Sequence, residues 1–222
     1  MLPFRLVFRN VVRNRRRSLL TAGSMAVSFA LLVVFFATYR FLEAPPASDT
    51  ERSHLVLIVA ARTSAIQPMP ISYRSRIQRL DGVRAVTQIF WFDARYKSED
   101  TVIPSLSLDP GVLFEFFPNW RLPEEQRAQF LREKTAALAA RSTARKYGWK
   151  VGDPIHVSSP NYFGLGVDLT LRGIYESDQE QEQSYLVFHW DYLNDVLGSP
   201  NVTGQYWILA NSTDVMPLSR PL

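Results

Sequence analysis

From Ser18 to Tyr39 the chain runs 22 residues without a charged side chain. At about 1.5 Å per residue a helix of that length covers about 33 Å, enough for a hydrocarbon core of about 30 Å. The pattern therefore predicts a transmembrane helix, placed at residues 18–40. Just before it, Phe4, Phe8, Val11 and Val12 recur on one side of a helix, and Arg5, Arg9, Arg13 and Arg16 on another. Residues 1–17 thus read as a basic amphipathic helix.

Beyond a Pro-containing polar linker at residues 41–53, periodicity changes to short branched and aromatic runs. His54–Ala61 reads as a buried strand, Ile71–Leu80 as a helix, and Val83–Tyr96 as a strand after an Asp81-Gly82 turn, giving a βαβ-like layer. A strand is expected at Val102–Leu108, then a short helix capped by Asp109-Pro110 and carrying Phe114, Phe116 and Phe117 just before Trp120. Packing explains this aromatic run better than a ligand pocket does. Pro123-Glu124-Glu125 opens a polar helix to about Glu133, Thr135–Leu138 reads as a strand, and Ala139–Tyr147 as a helix ended by Gly148. Strands follow at Ile155–Ser158, Val167–Tyr175, Tyr185–His189 and Gln205–Leu209, with a helix at Trp190–Leu197. The expected class is α+β with a mixed sheet, occupying residues 54–222 as one extracytoplasmic domain.

Charge sets the orientation. Arg5, Arg9, Arg13, Arg15, Arg16 and Arg17 precede the apolar run with no acid among them, whereas Arg40, Glu43, Asp49, Glu51 and Arg52 follow it with mixed sign. The positive-inside rule puts the N-terminus in the cytoplasm and the domain outside, with the arginines at the membrane interface on lipid phosphates. A cleaved signal peptide fits less well, since its apolar stretch runs only about 7–15 residues. The arginines already have a membrane explanation, so no nucleic-acid partner is called for. Within the span Ser18, Ala22, Ala26 and Ala30 recur every four residues, a small-residue face suited to helix packing. Six of the charges sit in the tail, so the net of +4 leaves −2 for all the rest. There is no cysteine, so the domain holds together without disulfides.

Catalytic and metal chemistry have no legible carrier. His54, His156 and His189 lie in no metal spacing, and there is no G-x-S-x-G or H-E-x-x-H motif. Gly148 to Gly152 lacks the Lys-Ser or Lys-Thr of a phosphate loop, so ATP chemistry would belong to a partner and no cofactor is expected. Glu176, Asp178, Glu180 and Glu182 lack calcium-loop spacing and read as a solvated hairpin loop.

The order of several blocks carries a family resemblance: the basic pre-helix and first span, Leu80-Asp81-Gly82-Val83, Ala136–Arg145 running into Lys146-Tyr147-Gly148-Trp149-Lys150-Val151-Gly152-Asp153-Pro154-Ile155, and Leu169–Tyr175. Together they resemble ABC-transporter permease subunits with a MacB-like periplasmic core domain and an FtsX-like membrane region. The resemblance implies a bacterial inner-membrane protein and a non-enzymatic subunit. It also implies a separate or fused ATP-binding subunit and a second permease copy or homologue as partners, with ATP-driven helix movement transmitted to the outer domain. The family carries three further spans after that domain, and nothing after Asp153 here is an 18-residue apolar run. The chain accordingly reads as the N-terminal part, a truncated product or a split half of such a permease. The competing reading is a stand-alone single-pass sensor or adaptor whose outer domain binds a ligand or protein. Further coding sequence with three apolar spans would separate the two.

Overall fold

The structure is a computed structural model that describes residues 15–43, 55–61, 67–97, 101–162 and 164–211. The chain divides after Thr50 into two units. In the first, helix α1 (Arg15–Glu43) is 29 residues long. It contains no proline, and its hydroxyls fold back on its own carbonyls: Thr21 Oγ1 donates to Arg17 O at 2.9 Å, Ser24 Oγ to Thr21 O at 3.0 Å and Thr38 Oγ1 to Val34 O at 2.9 Å. These three hydroxyls are thereby satisfied within the helix. Helix and arginines are continuous, since Arg15, Arg16 and Arg17 form its first turn. The rest of the basic segment, the residues 44–53 of the linker and His54 lie outside the described residues.

The second unit is built on one mixed sheet. Its strands are β1 (Val56–Ala60), β3 (Val83–Trp91), β4 (Arg95–Tyr96), β5 (Ser105–Leu108), β6 (Ala136–Ala140), β7 (Pro154–Ser159), β8 (Leu165–Tyr175), β9 (Leu186–His189) and β11 (Gln205–Ala210), with β2 (Met69–Pro70) and β10 (Val202–Thr203) paired separately. The spatial order is β1-β11-β3-β5-β9-β6-β8-β7-β4. The β5–β9 and β6–β8 pairs are parallel and the others antiparallel. The helices are α2 (Tyr73–Ile77), α3 (Leu113–Phe116), α4 (Glu124–Arg132), α5 (Arg141–Tyr147) and α6 (Trp190–Val196). This is the α+β class with a mixed sheet that the sequence predicts.

The βαβ-like layer is present in split form. β1 and β3 each pair antiparallel with β11, so they run parallel with β11 between them. β1 is an edge strand, with Ile58 59% exposed, where the apolar run predicts a buried strand. Its first residue stands opposite the end of β11, Val56 against Leu209. β3 serves two neighbours in turn: the Val83–Ile89 stretch follows β11, and Phe90 and Trp91 pair with β5. The strand stops where Asp93 takes a positive φ of 50°, so the expected run to Tyr96 is broken into β3 and β4.

Both faces of the sheet are covered. Ala137, Ala139, Leu171, Leu186, Phe188 and Trp149 belong to one core, and Ala136, Leu138, Ala140, Val187, Phe130 and Tyr175 to the other. The alternating alanines of β6 thus face a core on each side. β8 changes faces at a bulge. Ala137 pairs with Leu171 but Leu138 with Gly173, which skips Arg172 and turns Tyr175 toward the second core. The skipped Arg172 pairs through Nε with Glu133 at 2.7 Å.

Candidate functional site

Two features stand out, one in each unit. The first is α1. Arg15–Arg40 is long and apolar enough to cross a membrane, and none of it is buried. Ser18, Ala22, Ala26 and Ala30 fall four apart along it, and Ala22, Ala26 and Ala30 are exposed. Arg15, Arg16 and Arg17 sit together in its first turn, whereas Arg5, Arg9 and Arg13 lie outside the described residues.

The second is the connection from β8 to β9. These strands are not neighbours, because β6 lies between them, so the acidic segment after Tyr175 is a crossover and not a hairpin. Nor is it simply solvated. Arg121 and Glu176 exchange backbone hydrogen bonds at 2.8 and 2.9 Å. Arg121 grips both carboxylate oxygens of Asp178, through Nη1 at 2.7 Å and Nη2 at 2.6 Å. The same hydrogen bond holds the Asp178 carboxyl below the usual carboxylate range and raises the guanidinium of Arg121. Arg141 Nε meets Glu176 Oε1 at 2.5 Å. From α5, Ser142 Oγ donates to Gln183 O and Thr143 Oγ1 to Ser184 O at 2.9 Å.

Aromatic packing lies beneath the crossover. The Trp120 ring stacks on Tyr175 with centroids 3.7 Å apart and on Phe117 at 4.4 Å. Trp120 Nε1 and Ser177 Oγ both donate to Glu182 Oε2 at 2.7 Å. Tyr175 is fully buried, its hydroxyl donates to a backbone carbonyl, that of Glu182 at 2.8 Å or of Tyr185 at 3.1 Å, and burial pushes its pKa well above the ordinary tyrosine value. The run from Phe114 to Trp120 is therefore a packing cluster, as the sequence suggested.

Between the crossover and α5 a cavity of about 270 Å³ remains, with Ala140 and Tyr175 in its wall. Its polar lining is Arg121, Arg141, Arg145, Ser142, Ser177 and Gln183, with Glu176 as the one carboxylate. No motif announced it, since its residues come from three separated stretches. The legible signal was the spacing of Arg141 and Arg145, one helical turn apart and hence on one face.

The two described histidines, His156 and His189, assemble no site. His189 is buried and donates from Nε2 to Phe130 O at 2.8 Å, while His156 Nδ1 lies 2.7 Å from Asp168 Oδ1 on the exposed β7–β8 hairpin. No cluster of three or more histidine or acidic side chains able to hold a metal occurs among the described residues.

Searches by sequence found neither a matching family model nor a matching curated protein. Solved structures do match. The chain is similar to the periplasmic region of MacB from Actinobacillus actinomycetemcomitans, with a TM-score of 0.53 at 10% identity over 77% of this chain and 84% of that one. The mixed-sheet domain has the MacB-like periplasmic core fold. It is likewise similar to the extracellular domain of the ABC-type transporter YknZ from Gram-positive bacteria, with a TM-score of 0.50 at 16% identity over 73% of this chain and 86% of that one. A MacB-like core preceded by one apolar helix thus agrees with the sequence resemblance in fold.

Proposed function

We propose that this chain is the N-terminal part of an ABC-transporter permease subunit, anchored in the bacterial inner membrane with its MacB-like core outside. The observation that carries this reading is the pairing of that fold with a spanning helix ahead of it in the chain. In this reading ATP is hydrolysed by a separate subunit, and movement of the membrane helices reaches an extracytoplasmic substrate or partner through the core domain. Ser18, Ala22, Ala26 and Ala30 are the face on which a neighbouring helix, from the same permease or from a second copy or homologue, packs closely. Arg15, Arg16 and Arg17, with Arg5, Arg9 and Arg13 before them, hold the cytoplasmic leaflet.

Two measurements test it. The chain has no cysteine, so single cysteines report topology without background. Lys150→Cys should react with an impermeant maleimide on intact spheroplasts, and Arg15→Cys only after permeabilisation. The opposite pattern overturns the orientation. Purified from its native host in mild detergent, the protein should bring down an ATP-binding subunit in stoichiometric amount. Recovery without one replaces the permease reading with a single-pass sensor or adaptor.

A further inference from the structure

The cavity under the β8–β9 crossover is lined by one guanidinium group that the domain does not use to hold itself together. Of its three guanidinium groups, Arg121 is matched by Asp178 and Arg141 by Glu176. Arg145 has no ion-pair partner among the described residues, yet it lines the same cavity. Arg141 meets Glu176 through Nε, and its two terminal amino groups donate no hydrogen bond among the described residues. With one turn of α5 between them, Arg141 and Arg145 present donors side by side. Counting Asp178 on Arg121 and Glu182 on Ser177, the formal charges around the site balance, and Arg145 is the guanidinium without a carboxylate of its own among the described residues.

We propose that this cavity binds a carboxylate group, held by the guanidinium of Arg145 and the terminal amino groups of Arg141. Two considerations select the class. A planar guanidinium matches a two-oxygen anion, and such charge-assisted pairs are about twice as strong as neutral hydrogen bonds. A volume of about 270 Å³ is smaller than the cavities that enclose whole drug-sized molecules, so it takes either a small organic acid or the terminal carboxylate of a larger chain. Ser142, Ser177 and Gln183 are already engaged with the crossover and position it over the site. The proposal stands on the cavity alone and does not depend on the permease reading.

The test is saturation-transfer NMR on the full chain in detergent at constant ionic strength. The probes are N-acetyl-alanyl-alanine, its C-terminal amide, sodium acetate and inorganic phosphate. The dipeptide acid is expected to bind and its amide not to, with binding about tenfold weaker in Arg145→Gln and partly restored in Arg145→Lys. Arg132→Gln, an exposed arginine on α4 that does not line the cavity, serves as the charge control and should leave binding unchanged. Dipeptide binding well above acetate assigns a chain terminus as the source, and equal binding assigns a small free acid. Both support the carboxylate site. Equal signals from acid and amide, tighter binding of phosphate, or an Arg145→Gln variant that binds like the wild type would each overturn it.

Discussion

Gly173 lies so close to Leu138 that a Cβ built on it would stand 2.7 Å from Leu138 Cδ2. Leu122 Cδ1 at 3.1 Å and Gln126 Cβ at 3.3 Å close the remaining space. This is the place where the β8 bulge presents backbone to the second core and α4 lies over it. Gly173→Ala is therefore expected to destabilise the domain by about 1–3 kcal/mol, the usual range for overpacking. A lower urea midpoint with an unchanged slope would show it. An unchanged midpoint would mean that Leu138 and Leu122 yield freely.

Gly148 is a contrasting case. A Cβ there meets nothing within 4 Å, but the residue closes α5 at a φ of 69°. Gly148→Ala should cost about 1 kcal/mol from backbone strain alone, and Gly148→Asn less, because asparagine tolerates the left-handed region. Equal midpoints for the two variants would contradict this.

Trp120 ties the crossover to the core by stacking on Tyr175 and by its bond to Glu182. Trp120→Ala should lose about 3–5 kcal/mol, as large aromatic truncations do. Trp120→Phe keeps a ring but leaves Glu182 one donor short, and should cost about 1–3 kcal/mol. Hydrogen exchange on residues 176–185 gives a local reading: protection there should fall further in Trp120→Phe than protection in β3. Uniform loss would place the effect in the core alone.

His189 supplies a pH dependence. Burial lowers its pKa below the ordinary value of 6.5, more than its bond to the Phe130 carbonyl raises it. The folded chain therefore holds the ring neutral where the unfolded chain has begun to bind a proton. This contribution is complete above about pH 6.5 and is withdrawn as the pH falls through the depressed folded value. The wild type should lose more stability between pH 7 and 6 than His189→Gln does, measured by urea midpoints at each pH. Parallel curves would remove His189 as the source.

The sequence shows the long apolar helix, the class of the domain and most strand positions because each rests on a local pattern. It misplaces what neighbours decide. Ala139 and Ala140 read as the start of a helix, since alanine favours one, yet they end β6 because β9 and β8 flank that position and both faces are buried. The acidic run after Tyr175 reads as a free loop until Arg121 and Arg141, far away in sequence, are seen to hold it. The same distance in sequence hides the cavity: only its Arg141–Arg145 wall is one continuous stretch.

The opposition of Val56 and Leu209 at the end of the β1–β11 pair has a mechanical consequence. Tension drawn between the chain before β1 and the chain after β11 would open that ladder like a zipper, one cross-strand bond at a time. Unzipping needs far less force than sliding two strands lengthwise, when all the bonds bear the load at once. If both points move together, the ladder is not loaded and the whole sheet travels as one piece. The fold thus tolerates a common push or pull at its base and yields first to a splitting one. Optical-tweezers handles at those two points should register the first opening in β1.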